Sequence, residues 1–593
     1  MNHVINRREL DPISSRAAFN SPTVSEIPGG TQDAAPTGGA PRSDIGTIAL
    51  HWGVAIAMVV SLATGLRIAA DAPDAVISKA LSPILPQGEI WTWHFLSSLG
   101  LFVGCTAYVL YMVRARLGQR VAPARLAALA MDAPARMRWN AINVLLHWAM
   151  YGIVAGLTAT GVALYLGYGG WVVTVHSALA YVTLANIVLH VAGHFMYGGL
   201  GQLLRLFRAT ALPVATRLRQ PLVVGLLAGV ATGFVALVAD FSTRDILHVP
   251  RVGEAPKLDG VLDDAVWTNA RPVRVRTEQG ANSGGSGESL VELRAVNDGR
   301  KIHFAVRWQD PTRSLARLPL VKRADGWRLL GTKADIADVT DWYEDKFAIL
   351  FSHSDEHGNG GTTHMGPNPL PGLPKPLHAR GYHYTTDDSV ADVWQWKASR
   401  GGMLGYVDDM YFGPPNPPTD PMKAGKARYQ AGYDSDPGKA FYVYNYKPEP
   451  PGGYRGPVGL LMLPKDLAAT RRAMGRVPED PDRDSTDEGS RWWMTADEMV
   501  PYSAEADAAI PVGTVIPGVL IQGEYSGDRA QIRGAAKWKD GWWTLEMSRD
   551  LETGSRMDMQ FVKGPPIYAY VSAFDHNQTR HTRHMRPVVV RLD

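Results

Sequence analysis

The chain has 593 residues, 46% hydrophobic and 20% charged, with a formal net charge of +3. That length predicts several domains rather than a small stapled scaffold, and so little net charge excludes a nucleic-acid binder held by phosphate contacts. The single Cys105 excludes an internal disulfide, a cysteine-held iron–sulfur or zinc site and a CxxCH haem attachment, so metal chemistry must use His, Met, Lys or carboxylates.

A mean hydropathy of −0.11 averages two unlike halves. Residues 1–45 mix Pro, Gly, Ser and Thr with scattered charges and read as a disordered tail. Five apolar segments follow at about 48–70, 91–113, 141–166, 171–197 and 221–240, each near the roughly 20 residues that a spanning helix needs. The third and fourth are joined by a Gly-rich turn, GYGG at 167–170.

Arginine placement predicts the orientation. The connection 114–139 carries Arg114, Arg116, Arg120, Arg125, Arg136 and Arg138 against Asp132, and 198–220 carries Arg205, Arg208, Arg217 and Arg219 with no acid. Loop 71–90 instead opposes Lys79 with Asp71, Asp74 and Glu89. The tail and both Arg-rich loops are therefore expected in the cytoplasm, and an odd number of spans delivers everything after about residue 241 to the periplasmic side.

His51, His94, His147, His176, His190 and His194 all fall within or at the rim of predicted spans, where ionisable groups are costly and signal function. His176 and His190 stand 14 residues apart, on one face of helix four and roughly 21 Å apart in depth. That suits two haems stacked across the membrane. Depth pairs His94 with His176 near the outer surface and His51 with His190 near the inner one. A haem gripped by two imidazoles has no open position, so it passes electrons rather than binding oxygen. An internal echo complicates the inner pair: LHWGVAIAMVVSLATG (50–65) and LHWAMYGIVAGLTATG (146–161) share LHW and TG at the same offsets. His147 is thus the rival of His51, and Gly65 and Gly161 offer room for a haem edge or another helix. His194, one turn beyond His190, is read as an alternative ligand, a propionate partner or a quinone-site residue.

With His51-Trp52 opening helix one, His94 on helix two and the His176/His190 pair on helix four, the first 200 residues resemble the bacterial cytochrome b561 family. The resemblance implies two b haems with ligands from helices one, two and four, exchange with quinone or quinol, and a partner at the outer face. It favours His51 over His147.

After Asp240 short β-branched and aromatic runs recur between turn signals, including SLVELRAVND (289–298), KIHFAVRWQD (301–310), DKFAILFSH (345–353) and IYAYVSAFD (567–575). A turn at NDGR (297–300) predicts a hairpin, and the whole pattern predicts a β-sandwich with long Pro/Gly loops. Eleven of the 17 Trp residues lie here, and most are expected in its core. Two loops stand out: GNGGTTHMGPNPLPG (358–372), with His364 and Met365, and DHNQTRHTRHMRP (575–587), with His576, His581 and His584.

From LDGVLDDAVW (258–267) to DVWQWKASR (392–400) this half resembles the haem-binding domain of ethylbenzene-dehydrogenase-type γ subunits. That implies a β-sandwich holding one haem. Covalent members carry a Cys pair before a His where this chain has Gly-Thr-Thr-His364, so attachment is non-covalent here. In b-type members Met and Lys hold the iron. Met365 matches the methionine, His364 is its possible substitute, Lys397 of the WxWKA motif reads as structural, and the expected ligands are Met365 and His584. The LDGVLDDAVW opening also resembles carbohydrate-binding sandwiches.

Asp480, Asp482 and Asp484 have EF-hand-like spacing, but Ser485 and Arg491 replace the turn Gly and the bidentate Glu, so calcium is rejected there. No nucleotide-binding glycine loop, GxSxG elbow or HExxH pair occurs.

The sequence therefore predicts a multidomain chain: a cytoplasmic tail (1–45), a four-helix b561-like membrane domain (46–200), a cytoplasmic loop and fifth helix (201–241) and a periplasmic haem-binding β-sandwich (242–593). Its expected role is electron transfer between the quinone pool and a periplasmic redox partner through two membrane haems and an outer one, in the bacterial inner membrane, with no substrate-transforming site of its own. The competing readings are a transmembrane reductase for ferric iron or another small acceptor, and a carbohydrate-type binding module on a dihaem anchor.

Overall fold

The computed structural model describes residues 41–70, 75–86, 90–210, 212–331, 339–356, 383–385, 387–424, 429–449, 453–475 and 489–593. Five long helices come first: helix one Ile45–Ala69, helix two Ile90–Arg114, helix three Ala135–Tyr165, helix four Trp171–Leu204 and helix five Leu212–Ser242. All five are long and apolar enough to cross a membrane, and Leu227, Val230 and Phe234 face outward as lipid contact demands. Helix four breaks at Gly198 and Gly199, next to its predicted end at 197, while helices three and five run past the predicted apolar cores. Amphipathic ends carry them on, because Arg136 and Arg138 keep their charged heads at the interface while the backbone stays helical.

Helix one starts at an N-cap: Asp44 accepts from the Thr47 N–H at 2.8 Å, pairs with Arg120 at 3.1 Å and accepts a short bond from the Tyr111 hydroxyl. Helix one packs on helix two and helix three on helix four, while helix five lies against helix two. That last contact is backbone to backbone. A side chain at Gly225 would meet the Ala107 carbonyl at 2.7 Å, and one at Gly229 the Val103 carbonyl at 2.6 Å, the small-residue spacing that lets membrane helices approach.

Beyond Ser242 the chain is β-rich. In chain order the principal strands are β1 (246–249), β2 (273–277), β3 (289–297), β4 (301–309), β5 (346–352), β6 (391–397), β7 (408–412), β8 (433–435), β9 (533–539), β10 (542–550), β11 (567–574) and β12 (588–592). They form a seven-stranded sheet, β1-β12-β11-β5-β6-β7-β8, and a five-stranded sheet, β2-β3-β4-β10-β9. The expected hairpin joins β3 to β4, with Gly299 at φ +88° and the Asp298 carboxylate accepting from the Arg300 and Lys301 N–H groups.

The two sheets enclose one apolar core. Trp308 stacks on Phe347 at 4.9 Å across the sheets, and Trp396 meets Trp543 at 4.8 Å. Eight of the eleven C-terminal Trp residues (Trp267, Trp308, Trp327, Trp394, Trp396, Trp492, Trp493 and Trp543) are buried, so their main use is packing.

One pairing decides where this sandwich sits. β1 leaves helix five and pairs in parallel with β12, Ile246 opposite Val589. The segment just before β12 must therefore return to the end of helix five. Arg586 there donates to the Asp240 carboxylate at 2.9 Å, the Asp240 carbonyl at 2.7 Å and the Thr243 carbonyl at 3.0 Å. Asp240 also accepts from the Tyr165 hydroxyl and the Arg244 guanidinium. Met585 packs on Ile90 and Trp91 at the start of helix two, and the Gly169 N–H donates to Glu288 at 2.9 Å. Arg586→Ala removes charged hydrogen bonds worth about 2–3 kcal/mol. Limited proteolysis between residues 243 and 246 should speed up, with the helical circular-dichroism signal unchanged.

Candidate functional site

The end of the bundle beneath the sandwich holds His94 on helix two and His176 on helix four, with ring centres 6.5 Å apart. An imidazole–metal bond is about 2 Å long. Two rings on opposite sides of one ion therefore stand about 6 Å apart, centre to centre, and this pair fits a shared iron.

The tautomers fit as well. His94 Nδ1 lies 3.0 Å from the Ser61 carbonyl, which can only accept, so Nδ1 carries the proton. It also lies 3.1 Å from the Thr64 hydroxyl. On helix three, the Thr160 hydroxyl donates to the Gly156 carbonyl and so accepts from His176 Nδ1 at 2.8 Å. Both rings thus keep the unprotonated Nε2 that a metal requires, held by the kind of neighbour that orients metal-binding histidines.

The sequence echo is explained here. Thr64-Gly65 and Thr160-Gly161 are equivalent positions of the two repeats. Each Thr holds the histidine of the next helix, and each Gly lies under that ring: a side chain at Gly65 would come 3.0 Å from His94 Cε1, and one at Gly161 3.5 Å from His176 Cε1. The glycines were legible in the sequence. The threonines were missed, although the TG pair was the signal.

The opposite end gathers more histidines. His190 lies 4.8 Å from His147 and 4.7 Å from His194, ring centre to ring centre, and ligand nitrogens of these three fall within 4.8 Å of one another. His147 Nδ1 donates to the Asn143 carbonyl at 2.6 Å, leaving its Nε2 unprotonated. His51 stands at this end too, edge-on to Trp52, whose indole donates to the Leu206 carbonyl.

In the sandwich, His364 and Met365 lie outside the described residues, as do residues 480–488 of the rejected acidic loop. His584 is buried, its Nδ1 accepts from the Val571 N–H at 3.3 Å, which leaves the ring proton on Nε2, and burial pushes it down to about 3. His581 Nδ1 donates to the Thr582 carbonyl at 2.8 Å, which leaves Nε2 as a lone-pair donor, and burial pushes this ring down to about 4. Lys397 is buried in an ion pair with Asp408, which Arg529 shares, and so acts in the core as expected.

Residues 264–586 match the ethylbenzene dehydrogenase family and residues 42–209 the prokaryotic cytochrome b561 family. The chain belongs to the ethylbenzene dehydrogenase family, fused to a cytochrome b561 membrane domain. It is a membrane b-type cytochrome for electron transfer, a multi-pass bacterial membrane protein with b-type haem and redox exchange with quinone or quinol. No curated protein sequence matches it. Among solved structures, it is similar to a family 9 carbohydrate-binding module from Caldicellulosiruptor kristjanssonii in complex with cellotriose. The identity is 7% and the TM-score 0.21, over 59% of this chain and 94% of that one. A putative carbohydrate-binding protein from Bacteroides uniformis gives 9% identity and a TM-score of 0.22, over 58% and 91%. Likeness at that level assigns no ligand.

Where the sandwich meets the bundle, Glu278 is buried beside Gly169, and its Oε2 has no hydrogen-bond partner. Burial pushes this carboxyl up to about 8, against the pull of Arg583. It is then neutral in the folded protein and ionised in the unfolded chain at neutral pH. Folding takes up a proton, so its contribution to stability falls as pH rises from the ordinary carboxylate value through 8. Glu278→Gln should remove that slope and stabilise the protein at pH 8 by on the order of 1–3 kcal/mol, with little change at pH 4. Urea unfolding followed by tryptophan fluorescence at both pH values checks this.

Proposed function

We propose that the chain passes electrons between membrane quinol and a periplasmic redox partner, using two haem sites in the bundle and a third in the sandwich. The observation that carries this reading is the His94–His176 pair, 6.5 Å apart, each ring oriented by a Thr of the neighbouring helix. Haem b held there would supply one-electron exchange without an open coordination position.

The residues divide the work by level. His94 and His176 serve the outer site, with Thr64 and Thr160 fixing the ring tautomers. His190 serves the inner site. His147 stands only 4.8 Å from it, closer than the roughly 6 Å of two rings opposed across one metal, which favours His51 as the opposed ligand. His147 and His194 then line the inner site. In the sandwich, Met365 remains the proposed first ligand. His581 supports the second position better than His584, because the Val571 N–H occupies His584 Nδ1 and leaves Nε2 protonated while His581 keeps Nε2 as an acceptor.

The division at about residues 45, 200 and 241 and the orientation follow the same logic. The Arg-rich connections 114–139 and 198–220 mark the cytoplasmic side, and the sandwich docks at the other end of the bundle.

Haem counting tests the reading. Wild type is expected to carry three haems, and His94→Ala and His176→Ala each two, with loss of the same spectral component. Thr160→Val should keep that component but weaken haem retention about 10–100-fold, read by transfer to apomyoglobin. Two membrane haems persisting in His176→Ala would refute the outer pair.

A further inference from the structure

Far from any histidine site, the open end of the sandwich buries four carboxylates around one guanidinium. Asp392 on β6 and Asp409 on β7 face the interior as diagonal neighbours in the sheet. Asp436 follows β8, and Asp558 lies in the loop between β10 and β11. Arg549 reaches in from β10 of the opposite sheet, lies 4.8 Å from the centre of the Trp394 ring and is fully buried. Its guanidinium lies 2.7 Å from Asp392, 3.3 Å from Asp409 and 3.4 Å from Asp558.

One guanidinium cannot balance four ionised carboxylates, so burial demands protons or a cation among them. The oxygens are also under-used. Asp392 Oδ1, Asp409 Oδ1 and both oxygens of Asp436 and Asp558 accept no hydrogen bond, six in all. Asp436 is 2% exposed and the Asp558 side chain 0%, and the two carboxyls lie within hydrogen-bonding reach of each other, an arrangement that requires a proton or a cation between them. Burial and neighbouring acids push Asp436 up to about 8, so any bare carboxylate here is stored at a cost that a cation would remove. A cleft of about 320 Å³, lined by Val390, Asp558 and Met559 among others, reaches the loop that carries Asp558, whose carboxylate lies just beneath it.

We propose that Asp392, Asp409, Asp436 and Asp558 form a calcium site that fastens the edge of the seven-stranded sheet to the β10–β11 loop. Carboxylate oxygens of Asp392, Asp409 and Asp558 lie within 4.8 Å of one another, and Asp436 adjoins them through Asp558; all are hard donors. Calcium accepts six to eight such ligands in flexible geometry, whereas magnesium keeps most of its water. This site is independent of the haem reading.

The test uses the full chain in detergent, stripped with EGTA. Terbium should bind at one site per chain and luminesce when tryptophan is excited, since Trp394 adjoins the cluster, and calcium should displace it. Calcium chloride should raise the melting temperature of the β-sheet circular-dichroism signal by several degrees over EGTA, and Asp436→Asn should abolish both responses while retaining the haem spectrum. Equal melting in calcium and EGTA, with no sensitised terbium signal, would overturn the proposal. So would an Asp436→Asn protein that still binds terbium as wild type does. Should that variant fail to fold, the wild-type terbium and melting data decide alone.

Discussion

A threonine hydroxyl that has already donated to its own helix has only lone pairs left, and in a lipid-facing bundle the group that can use them is a ring N–H on the next helix. Thr160 is in that position. It donates to Gly156 and receives His176. Thr64, donating to Val60, does the same for His94. The bond fixes proton, ring plane and free nitrogen at once, in a medium where no water competes. Remove it at Thr160, and His176 is a polar group able to rotate; His94 has the Ser61 carbonyl as well. With it, both rings are committed before any metal arrives, which is how a site avoids spending binding energy on ordering its ligands.

The second constraint is topological. A sandwich tethered through one strand could swing away from the membrane. The parallel β1–β12 pairing prevents this, because the chain's last strand starts where helix five ends. Arg586, Met585 and Arg583 are thereby carried onto Asp240, Ile90 and Trp91 at the rim of the bundle that faces the sandwich. His581 and His584 belong to the same segment. The proposed ligand of the sandwich therefore sits on the element that docks to the helices carrying His94 and His176, so covalent order along the chain shortens the distance electrons would cover.

Much of this was legible from residues alone. Apolar runs located the helices because nothing else buries 20-residue stretches, and alternation in KIHFAVRW with the NDGR turn located the β3–β4 hairpin. The start of helix three lies ahead of its apolar run because hydropathy marks the hydrocarbon layer, while backbone hydrogen bonding carries that helix through Arg136 and Arg138. The repeated TG pair marks the threonines, but which imidazole each hydroxyl holds emerges only when the helices pack. The buried acids of the sandwich were invisible for another reason. Asp392, Asp409, Asp436 and Asp558 are far apart in sequence, and each looks like an ordinary surface acid until strand order brings them together. The calcium-like spacing that the sequence did offer, at 480–484, lies elsewhere.

The internal repeat also shows why the inner level resisted a reading from sequence. At the outer level the two halves agree: the even helices supply His94 and His176, and the odd helices supply Thr-Gly. Fourteen residues further on, helix four has His190 but helix two has Tyr108. Symmetry is broken there, and in the proposed inner site the second imidazole comes from an odd helix. Both odd helices offer it, His51 and His147 at equivalent positions. What separates them is the setting: His147 is tied to Asn143 and crowded against His190, whereas His51 rests against Trp52. Under the proposed assignment, equivalent sequence yields unequal roles. The distinction lies in the neighbours on helix four, and a repeat cannot encode it.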